Sequence, residues 1–102
     1  MRFDSGITDI PSAGTAVRIL NTTDRVLWIK FTAPAANSGL TYVGLSDVSA
    51  TNGYPLGHAG GVDATVELNF KSFGGSVFAN VLYIDAASSG DGDDVAWIMI
   101  LE

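Results

Sequence analysis

A hydrolytic site of the serine type would have to be built around His58, the one histidine of the chain, which stands in Gly57-His58-Ala59-Gly60-Gly61. Nucleophilic catalysis requires a nucleophile, a base within hydrogen-bond reach and a group that orients the base. No serine occupies a Gly-x-Ser-x-Gly elbow, the strand-to-helix turn that exposes such a nucleophile. His58 therefore reads as an exposed loop histidine. The glycines around it could in principle cradle a phosphate, but a cradle aims its amides from the start of a helix. No helical pattern follows Gly60-Gly61, so these glycines read as turn residues. The acids Asp85, Asp91, Asp93 and Asp94 are the candidate metal ligands, because calcium takes several carboxylate oxygens. Asp91-Gly92-Asp93-Asp94 lacks the long loop with a closing glutamate, and its composition is that of a hairpin turn. A glycosidase would need two carboxyls about 5–10 Å apart across a cleft, and 102 residues leave little room for one. The expectation is a protein that is not an enzyme and takes no cofactor and no metal.

Such a chain must act through its surfaces. It carries 11 acidic and 5 basic residues for a formal charge of −6, which disfavours anionic partners. Arg2, Arg18, Arg25, Lys30 and Lys71 are scattered, whereas a groove that tracks phosphates needs clustered cations. Nucleic acid is not an expected partner. A membrane is not one either, since no stretch approaches the roughly 20 apolar residues of a span. Met1-Arg2-Phe3-Asp4-Ser5-Gly6 lacks the charged-then-apolar layout of an export signal. With 47% hydrophobic and 16% charged residues in 102, one folded domain is expected. The absence of cysteine leaves packing, backbone pairing or a partner subunit to stabilise it.

The elements are β throughout. Thr15 to Leu20 is a short apolar-rich run ending at the turn formers Asn21-Thr22-Thr23-Asp24. Arg25 to Thr32 follows, with Val26, Trp28 and Lys30 on one face and Leu27, Ile29 and Phe31 on the other. Leu40 to Leu45 is the next strand. The segment from Ser46 to Gly61 is long for a loop, and is expected to hide a short edge strand near Tyr54-Pro55-Leu56. Val62 to Phe70 alternates as a half-solvated strand, Val77 to Ile84 is another, and Val95 to Leu101 closes the set. The last is apolar on both faces, so it is expected to lie inside a sheet or under a neighbour. The pattern predicts an all-β fold, a small β-sandwich or jelly-roll-like barrel of six to eight antiparallel strands. Trp28, Trp97, Phe31, Phe70 and Phe78 are assigned to the core by default, and Tyr54 is the aromatic expected to be exposed.

Leu40-Thr41-Tyr42-Val43-Gly44-Leu45-Ser46-Asp47-Val48-Ser49-Ala50-Thr51-Asn52-Gly53-Tyr54-Pro55-Leu56 resembles a pattern in small virion proteins of tailed bacteriophages. In that family a strand ending in Tyr-Val-Gly precedes Ser-x-Val-Ser-Ala-x-Asn-Gly, an apolar residue and a Pro/Leu pair. Phe31 to Gly39 and Leu82-Tyr83-Ile84-Asp85-Ala86 with its following turn are similar to it as well. The likeness spans residues 14–102 and is densest over 31–56. Family members often carry Pro-Gly-Glu after the position of Leu56, where this chain has Gly57-His58-Ala59-Gly60-Gly61.

The resemblance implies a β-sandwich domain, residues 14–102, preceded by an N-terminal arm, residues 1–13. It implies a structural virion protein, made in the host bacterial cytoplasm and carried on the phage head. The expected role is capsid decoration (cement), with the major capsid protein and its own copies, as a homotrimer, for partners. Phe3, Ile7 and Ile10 on the arm, with Tyr54 and His58 on loops, are the expected interface residues. The alternative is a receptor- or carbohydrate-binding module of a phage tail or head fibre, using Tyr54 and the acidic turn.

Overall fold

The apolar and β-branched runs become nine strands among the described residues, which in this computed structural model are 1–34, 36–57, 65–87 and 92–102. They are β1 (Arg2–Asp9), β2 (Val17–Arg18), β3 (Arg25–Thr32), β4 (Thr41–Gly44), β5 (Tyr54–Leu56), β6 (Thr65–Asn69), β7 (Val77–Phe78), β8 (Tyr83–Ala86) and β9 (Asp94–Leu101). One sheet has the order β1-β9-β3-β6, with β7 also on β3, and the other has the order β2-β8-β4-β5. The strand pairs are antiparallel. Followed along the chain, the strands pass back and forth between the two sheets and wind as a jelly roll. The short edge strand expected near Tyr54 is β5.

β9 lies between β1 and β3, so a strand apolar on both faces is paired along both edges. Val95, Trp97, Met99 and Leu101 point inward and are buried, in the alternation that period two dictates. They meet Ile29 and Phe31 of β3 and, from the other sheet, Val43, Leu56, Ile84 and Ala86. β3 departs from simple alternation. Its pairing with β9 shifts register between Val26 and Trp28, a bulge that lets one strand carry an extra residue. Val26 is therefore buried on the same side as Ile29 and Phe31, while Trp28 turns to the outside.

Two expected segments are divided. Val77 to Ile84 is not one strand: β7 pairs with β3, a 3₁₀ turn spans Ala79–Val81, and β8 joins the other sheet. Amides of Ala79 and Asn80 donate to the carbonyls of Asp24 and Thr22, which holds this crossing between layers. The segment expected as an arm carries β1, paired residue for residue with β9 from Arg2↔Leu101 to Asp9↔Asp94. Alternation explains this placement, because Asp4, Gly6 and Thr8 are half-buried between exposed neighbours.

The segment that carries the family-like pattern is a folded-back hairpin between β4 and β5. Val48 is buried and sits between two glycines. A Cβ on Gly44 would lie 3.0 Å from its Cγ2, and one on Gly53 only 2.6 Å. Amide–carbonyl bonds in both directions between Ser49 and Asn52 close the tip. The Gly, Val and Asn-Gly positions of the pattern thus have a packing role.

Candidate interaction face

Among the described residues, the outer surface of the β1-β9-β3-β6 sheet leaves a run of apolar side chains without cover. The register lays them out in rows. Phe3, Ile100, Trp28 and Asn69 form the first, Ser5, Ile98, Lys30 and Glu67 the second, and Ile7, Ala96, Thr32 and Thr65 the third. Phe3 and Ile7 are each 68% exposed and Ile98 40%, values far from those of core residues. Phe3, Leu27, Trp28, Ile98 and Ile100 line a groove of about 450 Å³, with Lys71 at its rim. The face grades from apolar at the Phe3 row to polar at the Thr32 row. Its acid, Glu67, stands directly across from Lys30.

The underside of the same sheet is braced. Trp97 lies against Gly6, where an added Cβ would come within 2.8 Å of the indole. The indole N–H donates to Thr8 Oγ1 at 3.0 Å, and the Thr8 hydroxyl donates to the Ile19 carbonyl at 3.0 Å. This relay satisfies a buried donor and ties β1 to the crossing that leads out of β2. An ion pair of 2.6 Å joins Arg2 to Asp24, although both groups are exposed and such pairs contribute little.

The interface residues expected from sequence are therefore divided. Phe3 and Ile7 share the outer face of β1. Ile10 does not: it is fully buried in the chain's own core, because its amide and carbonyl extend the ladder to Asp93 and Gly92 and draw it inward. Tyr54 is 58% exposed, but on β5 of the other sheet, beside an apolar cleft with Leu45 and Val81. His58 and Asp91 lie outside the described residues. The sequence alone does not mark Ile98, Ile100 or Leu27 as surface residues, and its pattern points Trp28 to the core. The two apolar faces of the last strand were the available signal for the first two.

The remaining acids are engaged in loop architecture. Asp93 is buried and accepts from the Ser38 amide (2.8 Å), the Gly39 amide (3.3 Å) and the Ser38 hydroxyl. The amide of Asp94 donates to Asn37 Oδ1 while Asn37 Nδ2 donates back to the Asp94 carbonyl. The side chain of Asn37 thus stands in for a strand partner at the start of β9. Asp85 Oδ1 accepts from the amides of Gly14 and Ala86. These hydrogen bonds hold the carboxylates of Asp93 and Asp85 to different loops, and no group of three or more metal-ligating side chains forms among the described residues.

No family model matches this chain, and no curated protein or solved structure is significantly similar to it.

Proposed function

We propose that this chain is a structural protein of a tailed-phage particle, a decoration protein that docks on the outer head lattice and associates with its own copies. The observation that carries the reading is the uncovered apolar face of the β1-β9-β3-β6 sheet, with Phe3, Trp28, Ile98 and Ile100 around one groove. Contiguous exposed apolar surface on a small soluble domain marks a docking site, and here it is displayed on a stiff, doubly braced sheet. The resemblance over residues 31–56 supplies the virion setting. A jelly roll is compatible with it, being an architecture of capsid domains and lectins alike, though an architecture alone does not assign a role.

Mass spectrometry and electron microscopy of purified particles of the encoding phage test this reading. The expected result is density for a small β-domain on the head surface at a fixed ratio to the major capsid protein. Absence of the chain from the particle would overturn the proposal. Presence only at the tail tip would replace it with the receptor- or carbohydrate-binding alternative.

A further inference from the structure

We infer that β1 is a self-pairing edge: two copies join antiparallel through their β1 strands about a two-fold axis at Ser5, making one continuous sheet. The other described edges are blunted in the ways natural sheets use. β2 has two residues, β5 has three including Pro55, and β6 has five with Glu67 at its centre. β1 runs for eight residues without proline, lysine or a register break, and the edge-blunting features it does carry are its inward-side charges, Arg2 and Asp4.

The hydrogen-bond phase of β1 fixes which backbone groups have no strand partner among the described residues. The Ile10 amide donates to Asp93 and its carbonyl accepts from Gly92, so the even-numbered residues of β1 point their backbone at β9. Alternation in an antiparallel ladder then turns the amides and carbonyls of Phe3, Ser5, Ile7 and Asp9 to the open edge. The Ser5 amide confirms this phase, because it is bonded to the carboxylate of Asp4 at 2.9 Å and not to β9.

Side chains select one register among those that keep the outer faces together. With Ser5 opposite its own copy, Phe3 faces Ile7 of the other chain in both halves of the contact. On the inner side, Asp4 then faces Gly6 and Arg2 faces Thr8. Sliding by one pair in one direction sets Asp4 against Asp4, a like-charge pair that destabilises a ladder. Sliding the other way sets Phe3 against Asp9 and Ile7 against Ser5. The favoured register is self-complementary, as a two-fold contact must be. Asp4 is its guard, since its carboxylate must release the Ser5 amide before that amide can cross to the second copy. The contact is two-fold, in place of the three-fold association expected with the resemblance. It follows from strand geometry whatever the chain docks to, so virion content tests the proposed function and solution association tests this inference.

Sedimentation of the purified protein up to about millimolar concentration is the primary experiment, on the natural chain and on Asp4→Ala and Ile7→Lys, with circular dichroism as the check on folding. Asp4→Ala is expected to tighten a monomer–dimer equilibrium. Ile7→Lys removes an apolar pair twice over and is expected to weaken it about tenfold. Ser5→Cys provides an independent readout in a chain without cysteine. Directly opposed residues of a bonded pair stand about 5.5 Å apart at Cα, within the range a disulfide spans. Oxidation is expected to give a covalent dimer with Ser5→Cys and none with Thr65→Cys on the opposite edge. Monomers throughout, including Asp4→Ala, would overturn the inference. A trimer, or a dimer indifferent to Ile7→Lys that Ser5→Cys does not capture, would also overturn it.

Discussion

Replacing Gly6 by alanine tests the brace that holds β1 to its sheet. The new Cβ would meet Trp97 Cζ2 at 2.8 Å and two further ring atoms at 3.3 Å. Carbon atoms rest at about 3.5–4.0 Å, so the indole must retreat by about 0.7 Å or β1 must lift. Trp97 is buried and has little freedom to move. Its N–H already spans 3.0 Å to Thr8, and such bonds weaken beyond about 3.2 Å. Overpacking of this kind costs about 1–3 kcal/mol, and a weakened hydrogen bond adds about 1 kcal/mol. Alanine restricts the unfolded chain and returns about 0.4–1 kcal/mol. The net expectation is a loss of about 2 kcal/mol, or about 10 °C in Tm for a domain of about 100 residues. Urea unfolding followed by circular dichroism measures it, with Gly75→Ala as the control, because nothing lies within 4 Å of a Cβ there. The control is expected to be neutral or stabilising by up to about 1 kcal/mol. Equal stability of Gly6→Ala and the natural chain would refute the packing of Trp97 over β1.

Asp93→Ala removes the carboxylate that accepts from the amides of Ser38 and Gly39 in a part-buried site and is expected to cost about 2–4 kcal/mol in urea unfolding. Calcium is expected to leave the Tm of the natural chain unchanged, and a calcium-dependent rise lost in Asp93→Ala would restore the metal reading. Ile98→Glu on the outer face is expected to cost about 1 kcal/mol or less in thermal unfolding, since the side chain is already 40% exposed. The same variant should lose binding to particles stripped of this protein, and undiminished binding would remove the face from the proposed function.

Period-two patterning made the β class legible, and it placed Val95, Trp97, Met99 and Leu101 on the inner face of the last strand. Alternation misplaces Val26, because a bulge exchanges faces without leaving a mark in composition. Trp28 keeps the face of Lys30 that alternation gives it, and it is the burial of that face that composition overstates. Pattern reading failed at Val77 to Ile84 for a related reason. A run of apolar residues does not record the point at which the chain leaves one sheet for the other. Ile10 falls in the expected arm because it precedes the family-like span, yet backbone bonds to Asp93 and Gly92 bring it into the core. The acids at 93 and 94 were visible as turn formers, but their partners Ser38 and Asn37 lie more than fifty residues away in sequence. The outer face was half legible. Phe3 and Ile7 stood out as apolar residues among polar neighbours, whereas Ile98, Ile100 and Trp28 were indistinguishable from core until register separated the two sides of each strand.

The charge of the chain and its apolar face bear on how weak docking can suffice. A protein of net charge −6 repels its own copies, so association has to use surface where acids are absent, matched or kept from facing one another, as Asp4 is when set opposite Gly6 in the favoured β1 register. The rows led by Phe3 and Ser5 meet that condition, because Glu67 is set across from Lys30 and the other positions are uncharged. Two-fold pairing through β1 also brings two outer faces into one sheet. In the proposed decoration role, a shell offering repeated sites would meet a ligand with two linked grooves, and linkage would turn the second docking event into an intramolecular one. Each groove alone, at about 450 Å³ and open to solvent, need bind only weakly. On the proposed pairing, the Asp4 carboxylate has to release the Ser5 amide before the edges join, and a shell surface would supply the local concentration that favours this. On these two proposals edge and face would be parts of a single device, one setting the number of contacts and the other their chemistry.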